Sequence, residues 1–197
     1  HPNPYGVKYW SIGNEGNDAY SPEAYAEQVH QWTFYMRQAD PNGRIAVTGL
    51  SDGDWNRRFL ARYADLLKGG FIATRGMIHI LGLKYPNVEQ FKDAADLVDE
   101  HLGPNQVEIA VEEWAARGER LYPLPADFDG LTVQESVLRA NELNPRTYEE
   151  SVTLKVAIDA ARELHGFIRN ADRVKHATFI YGTNTWGPLV RTEGPQF

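Results

Sequence analysis

Val107-Glu108-Ile109-Ala110-Val111 is a short, mostly apolar run that passes directly into Glu112-Glu113-Trp114. A strand buried on both faces reads as such a run, because neither face has to present polar side chains to water. The run ends in neither a glycine-rich phosphate loop nor a plain turn but in two carboxylates and a tryptophan. Working upstream, Val88, Phe91, Ala94, Ala95, Val98 and Leu102 recur at helical spacing until Gly103-Pro104, and Met77-Ile78-His79-Ile80-Leu81 reads as a strand before them. Trp55, Phe59, Leu60, Tyr63, Ala64 and Leu67 mark an earlier helix ended by Gly69-Gly70, preceded by a strand over 44–49. Ser21-Pro22 opens a helix that runs to about Asp40, since serine caps and proline is tolerated in a first turn. The first strand, Val7 to Gly13, again ends in chemistry, at Asn14-Glu15. Downstream, residues 115–146 form a long excursion carrying Pro123, Pro125 and Pro145, a length that marks functional loops or short helices. Thr147 opens a last helix to about Asn170, and Lys175 to Tyr181 reads as the final strand.

Five strands alternating strictly with four helices imply an α/β fold with a parallel sheet. A doubly wound sheet and part of a (β/α)8 barrel both satisfy that pattern. No G-x-G-x-x-G or G-x-x-x-x-G-K-[ST] follows any strand, whereas carboxylates and aromatics do. Residues at the C-terminal ends of barrel strands are the ones that carry catalysis. The sequence therefore predicts a partial (β/α)8 TIM barrel over residues 1–197.

Composition narrows the function. The chain has 197 residues, 42% of them apolar and 24% charged, which is ordinary for a globular domain. A net charge of −7 argues against a nucleic-acid binder, and no apolar run approaches the roughly 20 residues that span a bilayer. The absence of cysteine removes thiolate metal sites and cysteine nucleophiles and slightly favours a reducing, cytoplasmic setting. No H-x-H or H-E-x-x-H occurs, so neither a metal nor another cofactor is expected. The start at His1 and the end at Pro195-Gln196-Phe197 read as an excerpt of a longer protein.

Retaining hydrolysis of a glycoside needs two carboxyl groups roughly 5–5.5 Å apart, one to protonate the leaving oxygen and one to attack the anomeric carbon. Glu15 and one of Glu112 and Glu113, at the ends of two strands on one barrel rim, are placed to supply them. Isolated strand-end glutamates are more often solvated rim residues. Here an asparagine flanks one and a tryptophan the other, side chains suited to sugar hydroxyls and sugar faces.

Tyr5-Gly6-Val7-Lys8-Tyr9-Trp10-Ser11-Ile12-Gly13-Asn14-Glu15 resembles the acid/base segment of clan A glycoside hydrolases, specifically the family 51 α-L-arabinofuranosidases. Ile109-Ala110-Val111-Glu112-Glu113-Trp114 resembles that family's nucleophile strand, and residues 167–177 its last helix-to-strand passage. The resemblance implies strands four to eight of the barrel, with a β-sandwich domain outside the excerpt. It implies Glu15 as acid/base, Glu113 as nucleophile and Asn14 on the hydroxyl next to the anomeric carbon. Asn184 falls where the family has an asparagine after strand eight. Only one of Glu112 and Glu113 can point inward on a regular strand; the resemblance selects Glu113 and leaves Glu112 a supporting role. Departures are present: the family's Ser-x-His followed by tyrosines reads here as Ile78-His79-Ile80-Leu81-Gly82-Leu83-Lys84-Tyr85, its strand-eight glutamine as Tyr181, and the loop after the acid/base as Gly16-Asn17-Asp18-Ala19-Tyr20.

His79 and Trp114 join Asn14 and Asn184 as expected substrate contacts, each weighed against a packing role. Trp55 and Trp186 follow strands and are placed to line a cleft, while Trp32, Tyr35 and Met36 are assigned to the core. The expected activity is α-L-arabinofuranosidase on plant polysaccharides or oligosaccharides, with a carbohydrate as the partner. An endoglucanase, a β-xylosidase-like enzyme and a non-catalytic carbohydrate-binding half-barrel are the alternatives. A half-barrel exposes two sheet edges, so the chain alone is expected to be inactive or poorly folded. Pairing into a homo-oligomer would cover those edges, though nothing in the sequence asks for it.

Overall fold

The computed structural model describes residues 5–15, 19–69, 77–84, 86–114, 130–136, 138–139 and 154–179. In chain order these form β1 (Tyr9–Ile12), α1 (Pro22–Ala39), β2 (Arg44–Thr48), α2 (Gly53–Lys68), β3 (Ile80–Lys84), α3 (Val88–Leu102), β4 (Glu108–Trp114), α4 (Leu154–Arg169) and β5 (Val174–Phe179). Local chemistry sets the helix starts. Ser21 accepts from the Ala24 N–H ahead of α1 with Pro22 in the first turn, and Asp52 accepts from Asp54 ahead of α2. Asn87 and Gln90 exchange side-chain and backbone bonds as a capping box on α3. The Thr147 cap expected for the last helix, and the final-strand residues Ile180 and Tyr181, lie outside the described residues.

The strands lie side by side in chain order, β1-β2-β3-β4-β5, and the first three pairs are parallel. A doubly wound sheet reverses its order partway through. A sheet that always adds the next strand to the same edge, with a helix between, has the order of a (β/α)8 barrel. The partial barrel read from the sequence is therefore the observed arrangement.

Two faces follow from the register. Ile45, Val47, Leu81, Leu83, Ile109 and Val111 are essentially inaccessible to solvent. The other face carries the small residues Ala46 and Ala110 with Ile80 between them. Tyr25, Trp55, Phe59 and Tyr63 stack in succession along α1 and α2. Their hydroxyls reach the strands: Tyr25 Oη donates to the Ile12 carbonyl and accepts from the Thr48 N–H, and Tyr63 Oη accepts from the Ile78 N–H. Burial pushes the Tyr25 phenol up to about 12 and that of Tyr63 further still, so both stay neutral donors. Trp55 belongs to this stack, which corrects its placement as a cleft residue.

Burial on both faces holds for β2 and β3 and for the start of β4, but not for β1 and β5. Tyr9 and Trp10 of β1 are each 44% exposed. The cause is position: among the described residues β1 and β5 end the sheet and have a strand on one side only. Trp32 and Tyr35, expected in the core, are exposed for the same reason. With Met36 they line an open groove against Ser11, Ile12 and Gly13 of the β1 edge. The chain divides into two compact units, residues 1–114 with 167–178, and residues 115–166 with 179–197. The strand ends that carry Asn14, Glu15, Glu112 and Glu113 all belong to the first. In the second, Thr132 and Glu135 exchange bonds around a helical turn at 133–136, inside the long excursion.

Candidate active site

The C-terminal ends of β1, β3 and β4 converge on one ammonium group. Lys84, the last residue of β3, donates to Asn14 Oδ1 at 2.6 Å and to Glu113 Oε1 at 2.9 Å, with Glu112 Oε2 at 3.7 Å. Its side chain is only 10% exposed, against 16% for Glu112 and 26% for Glu113. A lysine this buried is stable as a cation only beside carboxylates, which is the environment it has.

Both glutamates reach Lys84 because β4 is irregular there. Leu83 pairs with Val111 but Lys84 pairs with Glu113, so the register slips by one residue at Glu112. Such a bulge places two residues opposite one and re-aims side chains at a rim. The expectation that only one of the pair can turn inward assumes a regular strand, and the bulge removes that constraint. Glu112 lies across Gly82, where a Cβ would collide with its carboxyl group. It accepts from Ser11 Oγ at 2.9 Å, joining β4 to β1 across the face that carries Ala46 and Ala110. Burial is the main influence on Glu112 and raises its pKa above the ordinary value of 4.5, opposed by the Ser11 hydrogen bond and by Lys84.

Glu15 follows Asn14 directly and is exposed, in a left-handed conformation with φ of 46°. Gly13, two residues earlier, has φ of 81°. Two left-handed residues within three turn the chain sharply off the end of β1. A non-glycine side chain held in that region is a costly arrangement that clusters at functional sites.

The remaining expected contacts fall differently. Trp114 is buried, with its ring edge-on to Phe167 at 5.2 Å, so the packing role describes it. His79 is not brought to this cluster. It precedes β3, and Lys84 ends that strand, five residues or about 16 Å further along. Its Nδ1 accepts from the Ile45 N–H at 3.1 Å, and Arg37 Nη1 lies 3.3 Å from Nε2. Burial, then Arg37 and Arg44, lower its pKa, so the ring stays neutral. The sequence pattern sets β3 three residues too early, because a continuous apolar run offers no periodicity by which to locate its ends. Lys84 escapes notice for that reason. The one available signal is a lone cation closing an apolar run just ahead of Tyr85-Pro86. Asn184, Trp186, Tyr181 and Tyr85 lie outside the described residues. Among the described residues no group of three or more acidic or histidine side chains is placed to hold a metal ion, and no helix is long and apolar enough to cross a membrane.

No family model matches the chain. In sequence it is 25% identical over 207 residues to a probable α-L-arabinofuranosidase C of Aspergillus clavatus, across 96% of this chain and 39% of that protein. The Aspergillus terreus counterpart matches at 25% over 96% of this chain and 40% of its own length. Among solved structures, the arabinose complex of the α-L-arabinofuranosidase from Thermotoga maritima superposes with a TM-score of 0.68 at 21% identity, covering 98% of this chain and 37% of that one. A family 51 α-L-arabinofuranosidase from Bifidobacterium longum gives 0.68 at 16% identity, covering 95% and 41%. The chain thus spans about two fifths of the length of the proteins it matches. Over that span its fold is a partial (β/α)8 barrel like theirs, and its relatives in sequence are glycoside hydrolases of the α-L-arabinofuranosidase type.

Proposed function

We propose that this chain supplies both catalytic carboxylates of a retaining α-L-arabinofuranosidase, as strands four to eight of its barrel. The observation that carries the reading is the single ammonium of Lys84, which holds Asn14 and Glu113 at one rim although they are far apart in sequence. Glu113 attacks the anomeric carbon as a carboxylate. The bond to the leaving oxygen breaks, and Glu15 gives that oxygen its proton. The product of this half-reaction is a glycosyl ester on Glu113. Water then attacks the same carbon, Glu15 takes the water's proton, and Glu113 leaves as a carboxylate. Asn14 holds the hydroxyl beside the reacting carbon, a bond that gains strength as charge develops. The substrate is a terminal arabinofuranosyl residue on a plant polysaccharide or oligosaccharide. The similarity to arabinofuranosidases along nearly the whole chain supports that choice over a β-glycoside.

The test is hydrolysis of 4-nitrophenyl α-L-arabinofuranoside by the full-length protein, beside the β-xyloside and β-cellobioside. Wild type is compared with Glu15→Gln and Glu113→Gln. Release from the arabinofuranoside alone, lost in Glu113→Gln and reduced in Glu15→Gln, is the expected result. Release only from a β-glycoside would keep the two glutamates and overturn the sugar. Sugar binding without release, unchanged in both variants, would replace the enzyme with a binding module.

A further inference from the structure

We propose that Lys84 is the positioning residue of this site, fixing which way the Asn14 amide faces and which oxygen of Glu113 attacks. The inference rests on the glycosidase reading above and extends it to a residue that the resemblance does not supply. An ammonium carries three donors and no acceptor. The Asn14 atom 2.6 Å from it is therefore the carbonyl Oδ1, by chemistry and not by choice. The Asn14 NH2 is consequently turned away from Lys84, presented as a donor to a substrate oxygen. The same ammonium engages Glu113 through Oε1 at 2.9 Å, which leaves Oε2 as the oxygen free to bond to carbon. Lys84 closes β3 and so brings its ammonium to the rim where Asn14 and Glu113 stand.

Charge balance gives Glu112 its part. Among the described residues, the groups around the ammonium are Asn14, just past β1, and Glu112 and Glu113 from β4, with Ser11 of β1 bonded in turn to Glu112. When Glu113 becomes an ester its charge disappears, and Lys84 would be a cation without a counterion in a largely desolvated place. Glu112, at 3.7 Å, is the carboxylate that remains. One ammonium between two carboxylates thus keeps a partner through the whole cycle. A single ion pair would lose it at the covalent intermediate.

The experiment measures kcat, KM and the pH profile of kcat/KM on 4-nitrophenyl α-L-arabinofuranoside for the full-length wild type, Lys84→Met and Lys84→Arg. Glu113→Gln serves as the reference for lost chemistry, and circular dichroism confirms folding. Lys84→Met should lower kcat by about 100-fold, the scale of misplacing a reacting group by 1 Å, with a much smaller change in KM. Its acid limb should move to higher pH, because Lys84 is one of the groups that hold down the pKa of Glu112 beside the nucleophile. Lys84→Arg retains the charge but not the geometry, so it should keep the wild-type acid limb while losing part of kcat. That arm decides the matter if Lys84→Met does not fold. Wild-type kcat and pH profiles in the lysine variants, with Glu113→Gln inactive, would overturn the role of Lys84 and leave the glycosidase reading standing. A wild type inactive on all three aryl glycosides would overturn both.

Discussion

The same strands end in two polar clusters, one at each rim, and the two are built on opposite principles. Among the described residues, three arginines at the N-terminal rim meet conventional partners. Arg44 pairs with Glu108 at 3.1 Å, Arg173 grips Asp99 with two nitrogens, and Arg37 reaches the Gly43 carbonyl beside neutral His79. At the C-terminal rim two carboxylates share one lysine, a bulge breaks the β3–β4 register, and Glu15 stands in a left-handed conformation. The contrast shows as opposite pKa shifts. The Arg173 guanidinium holds Asp99 below its usual value, whereas burial holds Glu112 above its own. One rim is arranged to hold the barrel together; the other keeps charges where they are costly, as sites that do chemistry commonly are.

The largest effect expected at either rim is that of Glu113→Gln, which should leave no measurable turnover in the full-length protein with its thermal unfolding little changed. Comparable activity would place the nucleophile elsewhere. Next comes Gly82→Ala, where the new Cβ must push the Glu112 side chain off β3. Because a buried, hydrogen-bonded side chain has to give way, stability should fall by about 1–3 kcal/mol. Activity should also fall roughly tenfold, short of the 10²-fold that a 1 Å misplacement of a reacting group can cost. Full kcat in the Gly82→Ala variant would show that Glu112 has no part in the site.

The pH dependence of stability should separate the rims by sign. Glu112 titrates higher in the folded protein than in the unfolded chain, so its contribution is greatest below its ordinary value of 4.5 and is lost as pH rises through the raised value. Asp99 titrates lower when folded, so its contribution is present above its ordinary 3.8 and is lost as pH falls through the lowered value. Chemical denaturation from pH 3 to 7 should therefore show Glu112→Gln flattening the upper part of the curve and Asp99→Asn the lower part. Parallel curves in both variants would remove the contrast. The smallest effect belongs to Arg173→Ala, which should cost about 1 kcal/mol or less, as partly exposed pairs do, and leave kcat alone. A drop in kcat there would mean that the N-terminal rim is coupled to the chemistry.

Much of this is legible in the residues. The cap at Ser21, the stop at Gly103 and the apolar runs of β2 and β4 act over a few residues and can be read there. The positions of Asn14-Glu15 and Glu112-Glu113 at strand ends are readable in the same way. His79 is misplaced by the pattern because an unbroken apolar run carries no mark of where pairing starts. Trp32 and Tyr35 are assigned inward because helical spacing identifies an apolar face without saying whether anything covers it.

The sequence by itself determined the alternation of strands and helices, the rim at which the carboxylates collect and the family they resemble, since each depends on neighbours along the chain. Only the tertiary structure decided that Lys84 joins Asn14 and Glu113, that a slipped register lets Glu112 accompany Glu113, and that β1 keeps an exposed edge. Those facts depend on contacts 29 and 70 residues apart. Packing β1 to β4 side by side in one curved sheet brings such groups together, and no local pattern records which of them will meet.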